Sequence, residues 1–176
     1  MATFIMLPDS TSGHTAHWIA VGETDHHDCL DDDNGDTSYV KCAASFRRID
    51  LGFANPSVAE GAISSIDSVR FLSSGRCTLG RAGSNVVVSW QSPTGNALAT
   101  NTYDLHVSNY ETINGASLTS SDGSGTAWTY SDLEGASIKL TKVLSANVRL
   151  SYFALEVTYT APVTVTDNSI FFGSNF

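Results

Sequence analysis

The chain has 176 residues, of which 41% are hydrophobic and 15% charged, with a formal net charge of −9. That length and apolar content allow one domain with a real core and exclude a disordered chain. The acidic balance opposes contact with phosphate backbones and anionic bilayers, so neither nucleic acid nor membrane is expected as a partner. No stretch has the length of a membrane-spanning helix. Cys29, Cys42 and Cys77 are odd in number and widely spaced, which predicts neither a disulfide framework nor a zinc ribbon. Met1–Leu7 lacks the basic flank and length of a secretory leader, so synthesis in a cytoplasm is expected.

Taken in order, Met1–Leu7 is apolar and Pro8–Gly13 reads as a loop by composition. An oily tip on a polar stem reads as an arm that adds an edge strand to its own sheet or to a neighbour's. The pattern leaves both open. Trp18–Val21 is a short apolar run. Glu23–Asp36 follows, with seven acidic residues in fourteen and two histidines, and reads as a solvated loop, with a site for calcium or another hard cation as the alternative. Gly35 is out of frame for a calcium loop of the EF-hand kind. Zinc through His26, His27 and Cys29 is disfavoured, because adjacent histidines on an extended chain face opposite ways.

Thr37–Ala44 predicts a strand with Val40 and Cys42 in one phase and Tyr39 in the other. Cys42 reads there as a small buried apolar residue. Phe46, Ile49, Leu51 and Phe53 make the next apolar segment, ended by Asn55-Pro56. A strand is predicted from about Ile66, because Ser64, Ser65 and Ser68 suit a helix interior poorly. Ser73–Gly83 reads as a loop without the Gly-Lys-Ser/Thr ending of a phosphate loop. Asn85–Gln91 and the segment of Tyr103, Leu105 and Val107 read as strands around the turn Ser92–Gly95. Asn114–Gly125 reads as a long exposed loop.

Trp128–Tyr159 carries the clearest pattern. A polar turn at Ser131–Asp132 precedes Ile138 and Leu140, two apart. Phe153, Leu155, Val157 and Tyr159 then alternate with Ala154, Glu156 and Thr158. Period two with β-branched and aromatic residues predicts half-buried antiparallel strands, and Pro162 ends the ladder. About eight short strands with little helix predict an all-β antiparallel β-sandwich, jelly-roll-like, with extended N- and C-terminal arms. The expected organisation is an arm at 1–13, the sandwich at 14–162 and a C-terminal strand or arm at 163–176.

No catalytic constellation is legible, and no cofactor or metal motif is present. No nucleophile elbow occurs, and His14, His17, His26, His27 and His106 have no motif-level partner. A Ser–His–Asp triad is defined by geometry and so stays open. The Asp31–Asp33 run holds carboxylates crowded in one turn, where a glycosidase needs two facing each other. Trp18, Trp90 and Trp128 would stack on sugar rings if exposed. Trp90 shares a phase with Val86 and Val88 and reads as core.

Two stretches then point to a family. One is Asp33–Val40 (DNGDTSYV), preceded by Trp18 and the acidic loop and followed by Phe46 and Leu51. The other is Trp128–Tyr159, with Gly61-Ala62-Ile63 between them. From Trp18 to Thr160 this order resembles β-sandwich virion proteins of tailed bacteriophages, above all capsid decoration (cement) proteins and appended tail or fibre domains. The resemblance implies a non-enzymatic virion protein on the outer capsid surface. It would bind the major capsid protein, bridge neighbouring capsomers, and assemble as a homo-oligomer, a dimer or trimer. The interface would come from the arms, through Phe4, Ile5, Met6, Leu7, Ile170, Phe171, Phe172 and Phe176. Two alternatives stand beside it: a tail-fibre or receptor-binding carbohydrate-binding module using Trp128, and a small metal-dependent hydrolase using Asp31–Asp33.

Overall fold

The computed structural model describes residues 1–77, 84–91, 97–105, 109–143 and 147–163, with 84–91 and 97–105 given by their backbone alone. Eleven strands lie among the described residues: β1 (Ala2–Met6), β2 (Pro8–Gly13), β3 (Trp18–Val21), β4 (Tyr39–Cys42), β5 (Arg47–Phe53), β6 (Ser65–Cys77), β7 (Ser84–Gln91), β8 (Ala97–Leu105), β9 (Glu111–Asn114), β10 (Ser137–Lys142) and β11 (Val148–Thr160). Two short 3-10 turns, Thr15–His17 and Glu60–Ala62, and one helical turn, α1 (Tyr130–Leu133), complete the inventory. The strands form an antiparallel β-sandwich. One sheet runs β3-β4-β11-β6-β9 with β1 also on β11, and the other runs β2-β5-β10-β7-β8. The chain changes sheet repeatedly, as jelly-roll connectivity requires.

The core lies between the sheets. Ile49, Leu51 and Phe53 of β5 and Ile138 and Leu140 of β10 face Val69 and Phe71 of β6 and Phe153, Leu155 and Val157 of β11, all at 4% exposure or less. Phe153 sits between Phe71 and Phe53, with ring centroids 5.9 and 6.2 Å away. Each such ring contributes about 1.5–3 kcal/mol by leaving water. β11 reaches this state through a bulge. Its inward phase runs Val148, Leu150, then Phe153, Leu155, Val157, and the pairing with β6 slips between Leu150 and Tyr152. The extra residue, Ser151, is fully buried and donates its hydroxyl to Asp33 Oδ1 at 2.9 Å. Without the slip, half of β11 would turn its apolar side chains to solvent.

The acidic stretch plugs a gap in the same sheet. β4 pairs with Val148–Leu150 of β11 and β1 with Leu155–Tyr159. Between them the Phe153 N–H donates to the Leu30 carbonyl at 2.9 Å, and Cys29 and Leu30 are fully buried. The expected solvated loop is therefore anchored at its centre, with its carboxylates outside. Gly22 starts it with φ +99, where a Cβ would collide with the Thr37 carbonyl oxygen.

Three expectations need correction. Phe4 and Met6, assigned to an arm interface, point inward from β1 and are 8% and 2% exposed, so they belong to this chain's own core. Pairing with β11 satisfies one edge of β1, and Phe4 packs on Tyr159 at 5.7 Å. Ile5 and Leu7 stay 41% and 37% exposed. Residues 8–13 are an edge strand, where the missing N–H of Pro8 is tolerated. Residues 73–77 continue β6: Ser73, Gly75 and Cys77 keep the inward phase of Val69 and Phe71 between β11 and β9. Val107, His106 and the tail with Ile170, Phe171, Phe172 and Phe176 lie outside the described residues.

Candidate ligand-binding groove

One end of the sandwich is where β5 begins, β10 ends and β11 begins, as the pairings Lys142↔Arg47 and Val148↔Cys42 show. The connection from β4 to β5, residues 43–46, crosses this end. Phe46 closes it with 75% of its surface exposed. Its φ is +55°, a left-handed conformation that disfavours a residue of this size. His14, across the groove, has φ +59°. Among the described residues these are the two non-glycine positions with positive φ, and both line the same cavity of about 470 Å³.

His17, Arg47, Arg48 and Thr141 complete the wall. Asp50 organises it from β5. Its Oδ2 lies 2.8 Å from His14 Nδ1 and 3.3 Å from the Arg48 guanidinium, whose Nε is 3.2 Å from Oδ1. His14 Nδ1 also lies 3.0 Å from the Arg48 guanidinium, so Asp50 and Arg48 together fix the ring at the groove wall. The outcome is an exposed ring beside groups that donate and accept hydrogen bonds.

The connection is held from beneath. Lys142 ends β10 facing inward and is fully buried. Its Nζ donates to the Ala43 carbonyl at 2.7 Å, and no carboxylate meets it among the described residues. Burial pushes the ammonium pKa down, while nearby Cys42 and Cys77 pull it up. Burial likewise raises the Cys42 thiol. Buried polar groups of this kind cost stability, and here the cost holds in place the backbone that carries Phe46.

The sequence-predicted residues fall elsewhere. Trp18 and Trp128 are 3% and 5% exposed, so neither offers a face to a sugar. Trp128 Nε1 donates to the Leu118 carbonyl at 2.8 Å. The side chain of Trp90 lies outside the described residues. Zinc through His26, His27 and Cys29 is not assembled, because His26 Nε2 lies 2.9 Å from the Trp18 carbonyl and Cys29 donates to that of Val21. Asp25, His27 and Asp28 do converge, with ligand atoms within 4.8 Å of one another. Thr11 Oγ1 holds His27 Nδ1 at 3.2 Å. Asp31 stands apart, its carboxyl pushed up by burial and then by Asp32 and Asp28. His14 with Asp50 is half of a triad, but among the described residues no serine or cysteine joins it.

Sequence reasoning missed Phe46, and a signal was present. Ile49, Leu51 and Phe53 are in step at period two, and Phe46, three residues before Ile49, is out of step.

No protein-family model matches the chain, and no curated protein matches it by sequence. Similar solved structures include the arabinose-bound α-L-arabinofuranosidase MgGH51, at 14% identity over 86% of this chain and 26% of that one (TM-score 0.45). The CBM22-1 xylan-binding domain of Paenibacillus barcinonensis Xyn10C is 11% identical over 88% and 98% (TM-score 0.43). The enzymatically active domain of bacteriophage CBA120 tailspike protein 4 is 8% identical over 89% and 19% (TM-score 0.43). The chain thus spans about a quarter of the arabinofuranosidase and a fifth of the tailspike domain. These likenesses add nothing finer than the all-β architecture described above.

Proposed function

We propose that this chain is a non-catalytic carbohydrate-binding module, of the kind a phage tail fibre or receptor-binding protein carries. The observation that supports the reading is Phe46: a large ring, mostly exposed and conformationally strained, at the lip of a groove of about 470 Å³. Strain at an exposed aromatic is retained where the position serves something other than folding. A pyranose presents a C–H face to such a ring and hydroxyls to its surroundings. His14, Arg48 and Thr141, which line the groove, supply the partners for those hydroxyls.

The test is a glycan-binding screen with the intact chain, followed by calorimetry on the best ligand. Phe46→Ala is expected to reduce affinity at least about tenfold, the loss of one aromatic anchor, with the thermal midpoint unchanged. A chain that binds no glycan, or a variant that binds as well as the parent, ends this reading.

A second reading, docking on a phage shell through the major capsid protein, is favoured by β1. Its one strand partner among the described residues is β11, and Ile5 and Leu7 remain exposed beside Met1. Serine at both positions should then weaken binding to shells stripped of their decoration while leaving the sandwich folded. Unchanged binding removes this reading.

A further inference from the structure

The groove lies at an end where cations gather, although the chain as a whole is acidic. Of nine lysines and arginines, Lys41, Arg47, Arg48, Arg76, Lys142 and Arg149 stand at this end. Strand register puts three of them side by side: Lys41 is opposite Arg149, and Arg149 is opposite Arg76. Like charges directly opposed across strands repel, so the row is unfavourable for the fold alone.

Asp36 answers part of it. It pairs with Arg76 and lies 2.9 Å from Arg149 Nη1. The guanidinium groups of Arg149 and Arg76 lie over Tyr39 and Tyr110, 4.7 and 5.1 Å from the ring centroids, which fixes them. Lys41 and Arg47 have no ion-pair partner among the described residues. Lys41 and Arg149 line a second cavity of about 250 Å³ with Ile19, Ala43 and Asn147. Ala43 begins the same four-residue connection that Phe46 ends, so the two cavities flank one short ridge.

We propose that this end recognises an acidic saccharide, one bearing carboxylate or sulfate groups, with Phe46 taking a sugar face and Lys41 and Arg149 taking the anion. The inference rests on the carbohydrate-binding reading and names its ligand class. An unpaired lysine beside a pre-stacked arginine offers a charge-assisted site for an oxyanion. Asn147 and Ile19 give that site a polar and an apolar wall. Such a ligand gives Lys41 a counter-charge that no described residue supplies.

The experiment measures affinity by calorimetry for three oligosaccharides of equal length: uncharged, uronate-bearing and sulfated, each at low and high salt. The intact chain should prefer one or both charged ligands by about tenfold or more, and the preference should shrink with salt. Lys41→Gln, at a side chain without an ion-pair partner, should weaken the charged ligand about three- to tenfold and leave the uncharged one unchanged. Comparing uronate with sulfate identifies the anion. Equal affinity for charged and uncharged sugars, or a Lys41→Gln loss shared by both, overturns the inference and leaves the carbohydrate reading standing. Binding of polyglutamate as tight as that of the sugars, and indifferent to Phe46→Ala, overturns it as plain charge attraction. No binding to any of the three sinks both.

Discussion

Trp128 and Phe46 stand at opposite ends of the sandwich, and the chain treats them in opposite ways. Trp128 bridges to Ile66 near the end of β11, is 5% exposed, and has its indole N–H satisfied by Leu118. The helical turn after it is closed by a capping box between Thr129 and Asp132. Phe46 is 75% exposed, has a left-handed backbone, and rests on a connection held by a buried lysine that meets no counter-charge among the described residues. One end is finished by satisfied groups. The other retains strain and a buried ammonium whose hydrogen bond goes to the Ala43 carbonyl. Violations of local rules that cluster in one place mark a site more securely than residue type does.

Substitution separates the two ends most sharply at the aromatics. Trp128→Ala should cost about 3–5 kcal/mol, because it empties a packed position and removes the indole hydrogen bond to the Leu118 carbonyl. Phe46→Ala should stay within about 0.5 kcal/mol of the parent. Chemical denaturation of both variants reads the difference, and similar costs at the two positions would dissolve the contrast.

Lys142→Met probes the support beneath Phe46. Burial lowers the lysine pKa, so the folded state disfavours the ammonium. The penalty is full below that lowered pKa and fades as pH rises toward 10.5, the ordinary value. Methionine should therefore stabilise the fold by about 1–2 kcal/mol near neutral pH. Its advantage should shrink as the pH rises toward the lysine's ordinary pKa. Glycan affinity should fall, since the Ala43 carbonyl loses its anchor. Thermal melts from pH 6 to 10 beside calorimetry check all of this, and a gap that widens with pH contradicts the sign.

Thr129→Ala should cost about 1 kcal/mol by removing the cap, and should leave glycan binding untouched. A binding loss there would mean that the two ends are coupled. The smallest effect is expected for Phe46→Gly, a gain of about 0.5 kcal/mol as the left-handed strain is relieved against glycine's own entropy. Binding should still be lost. A destabilised Phe46→Gly would show that the ring packs more than its exposure indicates.

These predictions depend on features that were unequally legible. β10 and β11 follow from Ile138 and Leu140 and from Phe153, Leu155 and Val157 at period two. The slip that Ser151 absorbs is also in the sequence, as the change of phase between Leu150 and Phe153. β2 was hidden by Pro8, and the end of β6 by Ser73 and Gly75, because turn-forming residues also serve in strands whose neighbours supply the hydrogen bonds. Trp128 as a sugar-stacking candidate is buried, because ring size is local and exposure is not.

By itself the sequence determined an all-β chain and the inward phase of its clearest strands. A strand shows its alternation within a few residues, and an apolar face must find a partner layer. Tertiary structure alone decided that Phe46 is exposed and Trp128 buried. It also decided that Lys41, Arg76 and Arg149, remote in the chain, stand in one row. Register is set by pairing between distant segments, so the field and shape it creates are properties of no single stretch.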